Sequence, residues 1–436
     1  MRSIREPARD IPIVASTHVV ICGGGPAGFV AALAAARTGA NTVLIERCGF
    51  LGGAATAGFV GPISNFNCRG ERVIGGIPVE FVEELARRGG AIIDHPGGNV
   101  PFDPEVYKRV AMEMIRNAGI RVLLHSQVVA CVVDERVPGR VTHVVIENKS
   151  GRQAIETRFV VDCTGDADVV ARAGLPCHVE DVPQPMSLCF RLGGVDTGKL
   201  PSLYIPADGN GDYHKGLREA MQRLRAAGEF PAFGGPWVVH GSTLREGEVS
   251  VNATRFSGSG IDAEQLTEAE FVTRENMWRI VEFMRQQPGE FHDCYLIDSA
   301  YHVGVRDSRR IDGLYTMTKD DVLAPRLFPD TVARGSHPID IHSARDDVQH
   351  LTWLDQSYGI PFRSLVPVGS DNVLVAGRTA SATREAFASM RVQATCMALG
   401  QAAGTAAALC NRECVSVESL DAGLLRETLV GAGAII

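Results

Sequence analysis

The chain has 436 residues, of which 45% are apolar and 22% charged, and its formal net charge is −8. This composition is typical of a globular protein that is long enough for two domains. The negative charge and the lack of an apolar run of about 20 residues argue against a nucleic-acid partner and against a membrane partner. The eleven cysteines are scattered and form no CxxC pair, so we expect no metal, no disulfide framework and a cytoplasmic location.

The first elements along the chain form one continuous pattern. Residues 1–14 lack the apolar core of a signal peptide and predict a short arm. A β-branched run at 19–21 then enters a GxGxxG turn, and an Ala-rich helix, an apolar run at 42–45 and Glu46 follow. This order predicts a dinucleotide-binding strand–helix–strand unit, and not a glycine-rich turn without a ligand. The expected cofactor residues are Gly23, Gly25, Pro26, Ala27, Gly28, Glu46 and Arg47.

Each residue type in this unit has a physical role. Gly23 permits the tight turn out of the strand, and Gly25 lets a pyrophosphate approach the backbone because it has no Cβ. Gly28 allows the helix to lie close to the sheet. The free N–H groups and the dipole at the helix start attract phosphate. Glu46, 18 residues beyond Gly28, is expected to accept hydrogen bonds from ribose hydroxyls.

A second glycine pair, Gly52 and Gly53, follows the acid within a few residues. At this point the sequence resembles the FAD-dependent oxidoreductases of the glutathione-reductase structural superfamily. In those proteins a short loop and a Gly-Gly pair after the acid continue the cofactor cradle. The resemblance implies that the cofactor is FAD, and that Gly52, Gly53 and Ala54 also contact it.

The next elements fit the same superfamily. Helices are predicted at 76–88 and 103–118, the second with Asp103 as its N-cap. Short strands follow at 121–135, 140–148 and 156–166, where the superfamily has a β-meander and where the backbone around Gln127 and Val128 would touch adenine. The segment VVDCTGDAD, residues 160–168, resembles the superfamily's "ATG" turn, although a plain strand end is the alternative. The cofactor residues implied there are Thr164, Gly165 and Asp166.

From about residue 171 to 360 the sequence becomes richer in Gly, Pro and aromatic residues, and we predict a substrate domain. Its one long helix is expected to start at Thr267, with Glu270 in a capping box, and to end near Gln286. A strand at 372–376 and a small-residue helix at 391–409 then return to the cofactor. The start of that helix is expected to face the flavin N1/C2 edge, unless it is only a core helix. The cofactor residues expected there are Gly377, Arg378, Arg391 and Ala394.

Motifs along residues 15–430 together look like the broad FAD-dependent oxidoreductase family; among them are GVRDSRRIDGLYTMTKDDVL, YGIPFRSLVP and VLVAGRTASATREAFASM. The resemblance implies an α/β fold: a Rossmann-type, three-layer FAD/NAD(P)-binding domain with a β-meander, and an inserted α+β substrate domain. The expected boundaries are 1–170 and 361–436 for the cofactor domain and 171–360 for the substrate domain. His18 departs from the family, which usually has Asp there.

The same comparison argues against neighbouring classes. Ala54 and Ala55 stand where disulfide reductases carry their redox cysteines, and residues 52–65 contain no histidine for covalent flavin attachment. Gly377 is followed by Arg378, and not by the Asp of aromatic-ring hydroxylases. A second GxGxxG is absent, so no dedicated NAD(P)H domain is expected.

Three segments carry candidates for chemistry: AYHVGVRDSRRIDG at 300–313, SHPIDIH at 336–342 and YGIPFRS at 358–364. A histidine can accept a proton as hydride leaves the substrate, and an arginine can hold a carboxylate through two parallel hydrogen bonds. The alternatives are a structural ion network for the arginines and satisfied structural histidines. The candidate catalytic residues are His302, Arg306, His342 and Arg363.

These features lead to one function and two alternatives. We expect an FAD-dependent dehydrogenase or oxidase that moves a hydride from a C–H bond of a small anionic metabolite to flavin N5. Its electrons would pass to an external acceptor or to O₂, and a monomer or a homodimer fits the composition. An FAD-dependent monooxygenase that uses O₂ is the first alternative, and a flavoprotein without enzymatic activity is the second.

Overall fold

The computed structural model describes residues 2–5, 7–93, 98–200, 215–240, 245–344 and 349–436. The helices within these ranges are α1 Pro26–Arg37, α2 Ile77–Arg87, α3 Pro104–Asn117, α4 Asp168–Arg172, α5 Lys215–Ala226, α6 Ala263–Gln286, α7 Lys319–Leu323, α8 Arg384–Met390, α9 Gln393–Glu413 and α10 Ala422–Gly431. The strands are β1 Ile13–Cys22, β2 Thr42–Ile45, β3 Asn67–Cys68, β4 Glu71–Arg72, β5 Arg121–Leu123, β6 Gln127–Val133, β7 Val141–Asn148, β8 Gly151–Asp162, β9 Cys177–His178, β10 Cys189–Gly193, β11 Phe233–His240, β12 Val249–Thr254, β13 Tyr295–Ser299, β14 Arg310–Ile311, β15 Thr331–Gly335, β16 Ile339–His342, β17 Gln349–Thr352, β18 Tyr358–Pro361 and β19 Val373–Val375. In the described part of the chain, no helix has both the length and the apolarity needed to cross a membrane.

The central sheet has the order β5-β2-β1-β8, with all four strands parallel and β19 added in parallel to β8. Val20 pairs with Val43 on one side and with Val160 on the other. These strands are apolar and covered on both faces, as parallel strands require. The first half of β8 pairs antiparallel with β7, which pairs with β6. The Rossmann-type α/β fold and its β-meander are thereby confirmed.

Small residues allow two helices of the cofactor domain to cross at very short range. A Cβ placed on Gly400 would lie 2.1 Å from the carbonyl oxygen of Ala27, and one on Gly404 would lie 2.1 Å from that of Ala31. Any side chain at these two positions of α9 would therefore force it away from α1. The Ala- and Gly-rich sequences of both helices follow from this packing requirement.

The second sheet has the order β11-β12-β10-β13 and is antiparallel. Alternate residues of β12 point to opposite faces: Val249 and Val251 join the apolar core with α6, whereas Ser250 and Asn252 belong to the other face. That second face is polar, because Arg191 of β10 pairs there with Asp298 of β13. This sheet and α6 form the inserted α+β unit.

The predicted start of α6 at Thr267 is wrong. The helix begins at Ala263, and the side chain of Asp262 caps it by accepting from the N–H of Gln265 at 2.9 Å. The Thr267 hydroxyl donates to the carbonyl of Ala263 inside the helix. Glu270 accepts instead from the N–H of Val303 at 2.7 Å, so a tertiary contact explains the acid that suggested a capping box.

One further helix boundary differs from the expectation. The C-terminal helix begins at Gln393, two residues later than predicted, and the separate helix α8 precedes it. Met317, Phe328 and Tyr358, which lie in the range predicted for the substrate domain, belong to the same apolar cluster as residues of α1 and α9. The helix predicted at 103–118 is confirmed, and Asp103 caps it through the N–H of Glu105 at 2.8 Å.

Candidate cofactor and substrate site

An open cleft lies at the carboxyl ends of the parallel strands. The strands β1, β2, β8 and β19 each deliver the residue that follows them, namely Gly23, Glu46, Cys163 and Ala376. Parallel strands bring their carboxyl ends to one edge of the sheet, which is where ligands bind in open α/β folds. The sheet order thus gathers four segments that are far apart in sequence.

Most of the predicted cofactor residues line this cleft. They are Gly23, Gly25, Pro26, Ala27, Glu46, Arg47, Gly53, Ala54, Val128, Thr164, Gly165, Asp166, Gly377, Arg378 and Arg391. The other three, Gly28, Gly52 and Ala394, are absent from the lining. A Cβ on Gly28 would lie 1.7 Å from the Gly23 carbonyl oxygen, and one on Gly52 would lie 2.5 Å from the Thr56 side chain. Ala394 is fully buried.

The two glycine loops face each other across the cleft. Gly23 has a φ of +103°, a conformation that disfavours other residues. A Cβ on Gly25 would meet nothing closer than the Cα of Gly53, at 3.9 Å. The protein itself therefore leaves space above Gly25, at the N-terminus of α1, and that space suits the pyrophosphate of a dinucleotide.

The Glu46 side chain is held rigidly at the opposite wall. It is 6% exposed, and its two oxygens accept from the N–H of Gly24 at 2.6 Å and from the N–H of Cys48 at 2.7 Å. A carboxylate can accept about four hydrogen bonds, so each oxygen keeps capacity for another donor. This geometry is compatible with the predicted contacts to ribose hydroxyls.

Asp162, which the sequence analysis did not single out, shapes the Thr164-Gly165 turn. The carboxylate accepts from the N–H and the hydroxyl of Thr164, at 3.0 and 2.7 Å. It also accepts from the N–H groups of Val169 and Val170, at 2.8 and 3.2 Å. The available signal was an acid at a strand end two residues before Thr-Gly, since Asp often bonds to the backbone two residues on.

An ion network supports the same turn from the substrate side. Arg378 pairs with Asp166 at 3.1 Å, and Arg309 pairs with Asp168 at 3.2 Å. Arg310 is almost fully buried and pairs with Asp307 at 2.8 Å and with Glu180. These contacts therefore favour a role for Arg309 and Arg310 in a structural ion network over a role in catalysis.

The start of α9 forms the other end of the cleft. Arg391 and Gln393 line it, and the first turn of α9 has neither a side-chain cap nor an acidic residue. Gln393 donates to the carbonyl of Val60 at 2.6 Å, whereas its buried Oε1 has no partner in the described structure. An open helix N-terminus beside an unpartnered amide oxygen suits the hydrogen-bonding edge of a flavin ring.

His302 lines the cleft near Arg47 and Glu46. Its Nδ1 lies 2.9 Å from the carbonyl oxygen of Val303, so Nδ1 carries the proton and Nε2 is left as an acceptor. Burial lowers the pKa of His302, and the charge of Arg47 lowers it further. The imidazole is consequently neutral, at the end of the cleft where the acid of the first unit lies.

His342 is engaged at both nitrogens. Arg255 donates to its Nδ1 at 2.8 Å, so Nε2 carries the proton and donates to Asp340 at 3.1 Å. Burial lowers the pKa of His342 to about 3. His342 therefore lacks a free lone pair for substrate, and its contacts serve to position Arg255 and Asp340.

His337, from the same sequence cluster, has a different arrangement. Its Nδ1 donates to the carbonyl of Pro338 at 2.8 Å, and Nε2 has no hydrogen-bond partner among the described residues. Burial lowers the pKa of His337, and Asp340 and Arg391 are the nearest charges that affect it. His337 is thus a neutral acceptor close to the α9 end of the cleft.

The structure separates the two candidate arginines. Neither is among the residues that line the cleft. Arg363 holds Asp330 through Nε and Nη2 at 2.9 and 3.2 Å, and its side chain is 46% exposed. Arg306 lies deep in the protein and donates to the Pro185 carbonyl, the Ser187 hydroxyl and the Asn252 side chain. Only Arg306 therefore stays close to the polar face of the second sheet.

The parallel sheet and the cleft at its carboxyl edge are those of a dinucleotide-binding fold. A family profile described as FAD dependent oxidoreductase matches residues 18–429, and the chain belongs to that family of oxidoreductases. FAD is therefore its cofactor.

Three proteins that are similar to this chain have different activities in their names. Digeranylgeranylglycerophospholipid reductase 2 of Methanopyrus kandleri is 26% identical over 186 residues, which are 41% of this chain and only 45% of the relative's length. A geranylgeranyl bacteriochlorophyll reductase-like protein from Thermoplasma acidophilum is 15% identical with a TM-score of 0.47, over 96% of this chain and 83% of that one. The OxyS anhydrotetracycline hydroxylase from Streptomyces rimosus is 14% identical with a TM-score of 0.47, over 96% and 66%.

Proposed function

We propose that this FAD-dependent oxidoreductase oxidises a small anionic metabolite by transfer of a hydride from a substrate C–H bond to flavin N5. The observation that carries this proposal is the environment of the α9 end of the cleft. Arg391 lines it, and a neutral histidine, His337, and a buried cation, Arg306, lie within electrostatic reach of Arg391. A cation and a proton acceptor are what the oxidation of an anionic alcohol or amine requires.

When FAD is bound, it supplies the two-electron acceptor. The protein then has to remove the proton that leaves the substrate's hydroxyl or amino group. His337 suits this role because its Nδ1 proton is fixed on the Pro338 carbonyl, so Nε2 keeps its lone pair. His302 has the same fixed tautomer but lies beside Glu46 and Arg47, and its place favours a contact with the adenosine half of the cofactor.

The direct test is anaerobic reduction of the bound flavin. We expect a panel of hydroxy acids and amines to contain at least one compound that bleaches the flavin absorbance of the purified protein. Enoates are tested in the reverse direction, against enzyme reduced with dithionite. If no compound changes the flavin in either direction, the proposal is wrong. Oxidation of NAD(P)H that depends on an added substrate and O₂ would instead identify a monooxygenase.

The two histidines form a matched pair for assigning the proton acceptor. His337→Asn should slow flavin reduction at least tenfold and remove the acidic limb of its pH profile, while FAD stays bound. His302→Asn should weaken FAD binding and leave the reduction rate of the loaded enzyme within about twofold. The reverse result would return the role of proton acceptor to His302. These expectations follow typical contributions of general bases of about 10²–10⁴-fold.

A further inference from the structure

The hydrogen-bond partners of Arg306 among the described residues are all neutral. Its Nη1 donates to the Pro185 carbonyl at 2.6 Å and to the Ser187 hydroxyl at 2.7 Å, and its Nη2 donates to Asn252 Oδ1 at 3.3 Å. Among the described residues it forms no ion pair. By contrast, Arg309, Arg310, Arg378 and Arg391 each pair with an acid.

The surroundings of Arg306 make this lack of a counter-ion significant. Burial, together with the positive charges of Arg255 and Arg391, lowers the pKa of Arg306 to about 9. Arg306 lies deep in the protein but keeps solvent-accessible surface, and the residues just before it, Gly304 and Val305, line the cleft. A buried charge without a counter-ion is unfavourable, and an anion beside it would relieve the penalty.

The free edge of the guanidinium identifies the kind of anion. Both protons of Nη1 are used, whereas Nε has no partner in the described structure and Nη2 has one. Nε and Nη2 form the edge with which Arg191 holds Asp298 and Arg363 holds Asp330. Two parallel N–H groups of this kind match the two oxygens of a carboxylate.

Asp340, the carboxylate whose charge raises the pKa of Arg306, is already committed. Its Oδ1 accepts from Gln349 at 2.7 Å, and its Oδ2 accepts from His342 at 3.1 Å and lies 3.6 Å from Arg391. Arg391 is thereby balanced by Asp340, and Arg306 is left for an anion from outside the chain. Ser187, Asn252 and Pro185 would keep the guanidinium oriented before that anion arrives.

We propose that the Nε/Nη2 edge of Arg306 is a carboxylate-binding subsite, which makes the substrate an organic acid whose carboxylate pairs with Arg306. This inference deepens the proposed function, since it assigns the substrate class of the same site. It gives Arg306 a specificity role: compounds in which an amide replaces the carboxylate would leave the buried cation unpaired and would bind poorly.

The test compares acids with their own amides on the FAD-loaded protein. Acetate, lactate and benzoate, and in parallel acetamide, lactamide and benzamide, are titrated at constant ionic strength, and affinity is obtained from the rise in melting temperature. At least one acid should bind ten or more times tighter than its amide. Arg306→Gln should abolish that preference, and Arg306→Lys should retain part of it because lysine keeps the charge without the planar fork.

Arg363→Gln is the matched control, since it removes an arginine that holds a carboxylate outside the cleft; it should keep the wild-type preference. The subsite is wrong if every acid binds like its amide, or if Arg306→Gln keeps the preference. Should that variant fail to fold, the wild-type comparison and Arg306→Lys still decide.

If acids bind through Arg306 but no compound reduces the flavin, the subsite stands and the dehydrogenase proposal falls. If only uncharged or cationic compounds reduce the flavin, the subsite and the anionic substrate class fall, and only hydride transfer to the flavin stands.

Discussion

Replacement of Gly25 by valine should separate cofactor binding from folding. Gly25 has φ −68° and ψ −173°, an extended conformation that any residue adopts. Its missing Cβ leaves a gap in which the nearest protein atom is the Cα of Gly53, at 3.9 Å. A valine side chain therefore meets little protein, but it fills the space through which a pyrophosphate must approach the start of α1.

The two expected effects differ greatly in size. The folded apoprotein should change in stability by no more than about 1 kcal/mol, because a poorer N-cap and a less flexible unfolded chain act in opposite directions. The loss of two hydrogen bonds to a charged phosphate, at about 1.5–3 kcal/mol each, removes at least about 3 kcal/mol of binding. That loss corresponds to more than about 100-fold in the Kd for FAD.

The assay measures both quantities on the same preparations. FAD content comes from the absorbance of the purified protein, the Kd from titration of the apoprotein with FAD, and stability from urea unfolding of the apoprotein. Gly216→Ala in α5, where a Cβ meets nothing within 4 Å, is the control and should leave FAD content unchanged. A Gly25→Val protein that retained stoichiometric flavin would refute the assignment of this turn to the cofactor.

Three further outcomes follow from the packing and the buried charges. Gly404→Val should lower the free energy of unfolding in urea by about 1–3 kcal/mol or more, which is the usual cost of overpacking. The reason is that its Cβ would lie 2.1 Å from the Ala31 carbonyl oxygen. Asp162→Ala should lower FAD content and the melting temperature together, since four hydrogen bonds to the turn and to α4 are lost; unchanged FAD content would contradict that role. The folded pKa of His342, about 3, lies below its ordinary 6.5, so the folded protein binds fewer protons. The contribution of His342 to stability should thus be complete above pH 6.5 and should fall by about 2 kcal/mol by pH 5. His342→Gln should lose less over that range in urea titrations.

Local chemistry explains the parts of the site that were predictable. The GxGxxG turn, Glu46 and the Asp103 cap depend on neighbours within one or two turns of chain, so their spacing already determines their geometry. The cofactor class followed from the same kind of evidence, because each glycine loop occupies a fixed place after its strand. Gly28 and Gly52 were recognised from the motif, although they support the cleft from behind.

Long-range contacts explain the errors. Thr267 and Glu270 carry the sequence pattern of a capping box, but Asp262 caps the helix and Glu270 accepts from Val303. A side chain such as that of Glu270 can bond either to a residue nearby in the chain or to one brought close by folding. The sequence does not show which distant residues folding brings close. Helix boundaries in the substrate domain were therefore less predictable than those beside the glycine turn.

For the catalytic candidates the tertiary structure decided the outcome. Arg306, Arg309 and Arg310 share a sequence context with Asp307 and Asp312, and Arg363 lies in a segment without acids. Folding brings Asp168, Asp307 and Asp330 to three of them and only neutral acceptors to Arg306.

The sequence alone thus determined the family and the cofactor, because these depend on backbone conformation and on spacing along the chain. The sequence did not determine that Arg306 has no counter-ion among the described residues or that His337 keeps a free nitrogen. Both depend on which side chains meet across the fold. Those meetings are set by the packing of the second sheet and the 302–309 segment against the cofactor domain. Charge compensation is a property of three-dimensional neighbours, and only the tertiary structure supplies them.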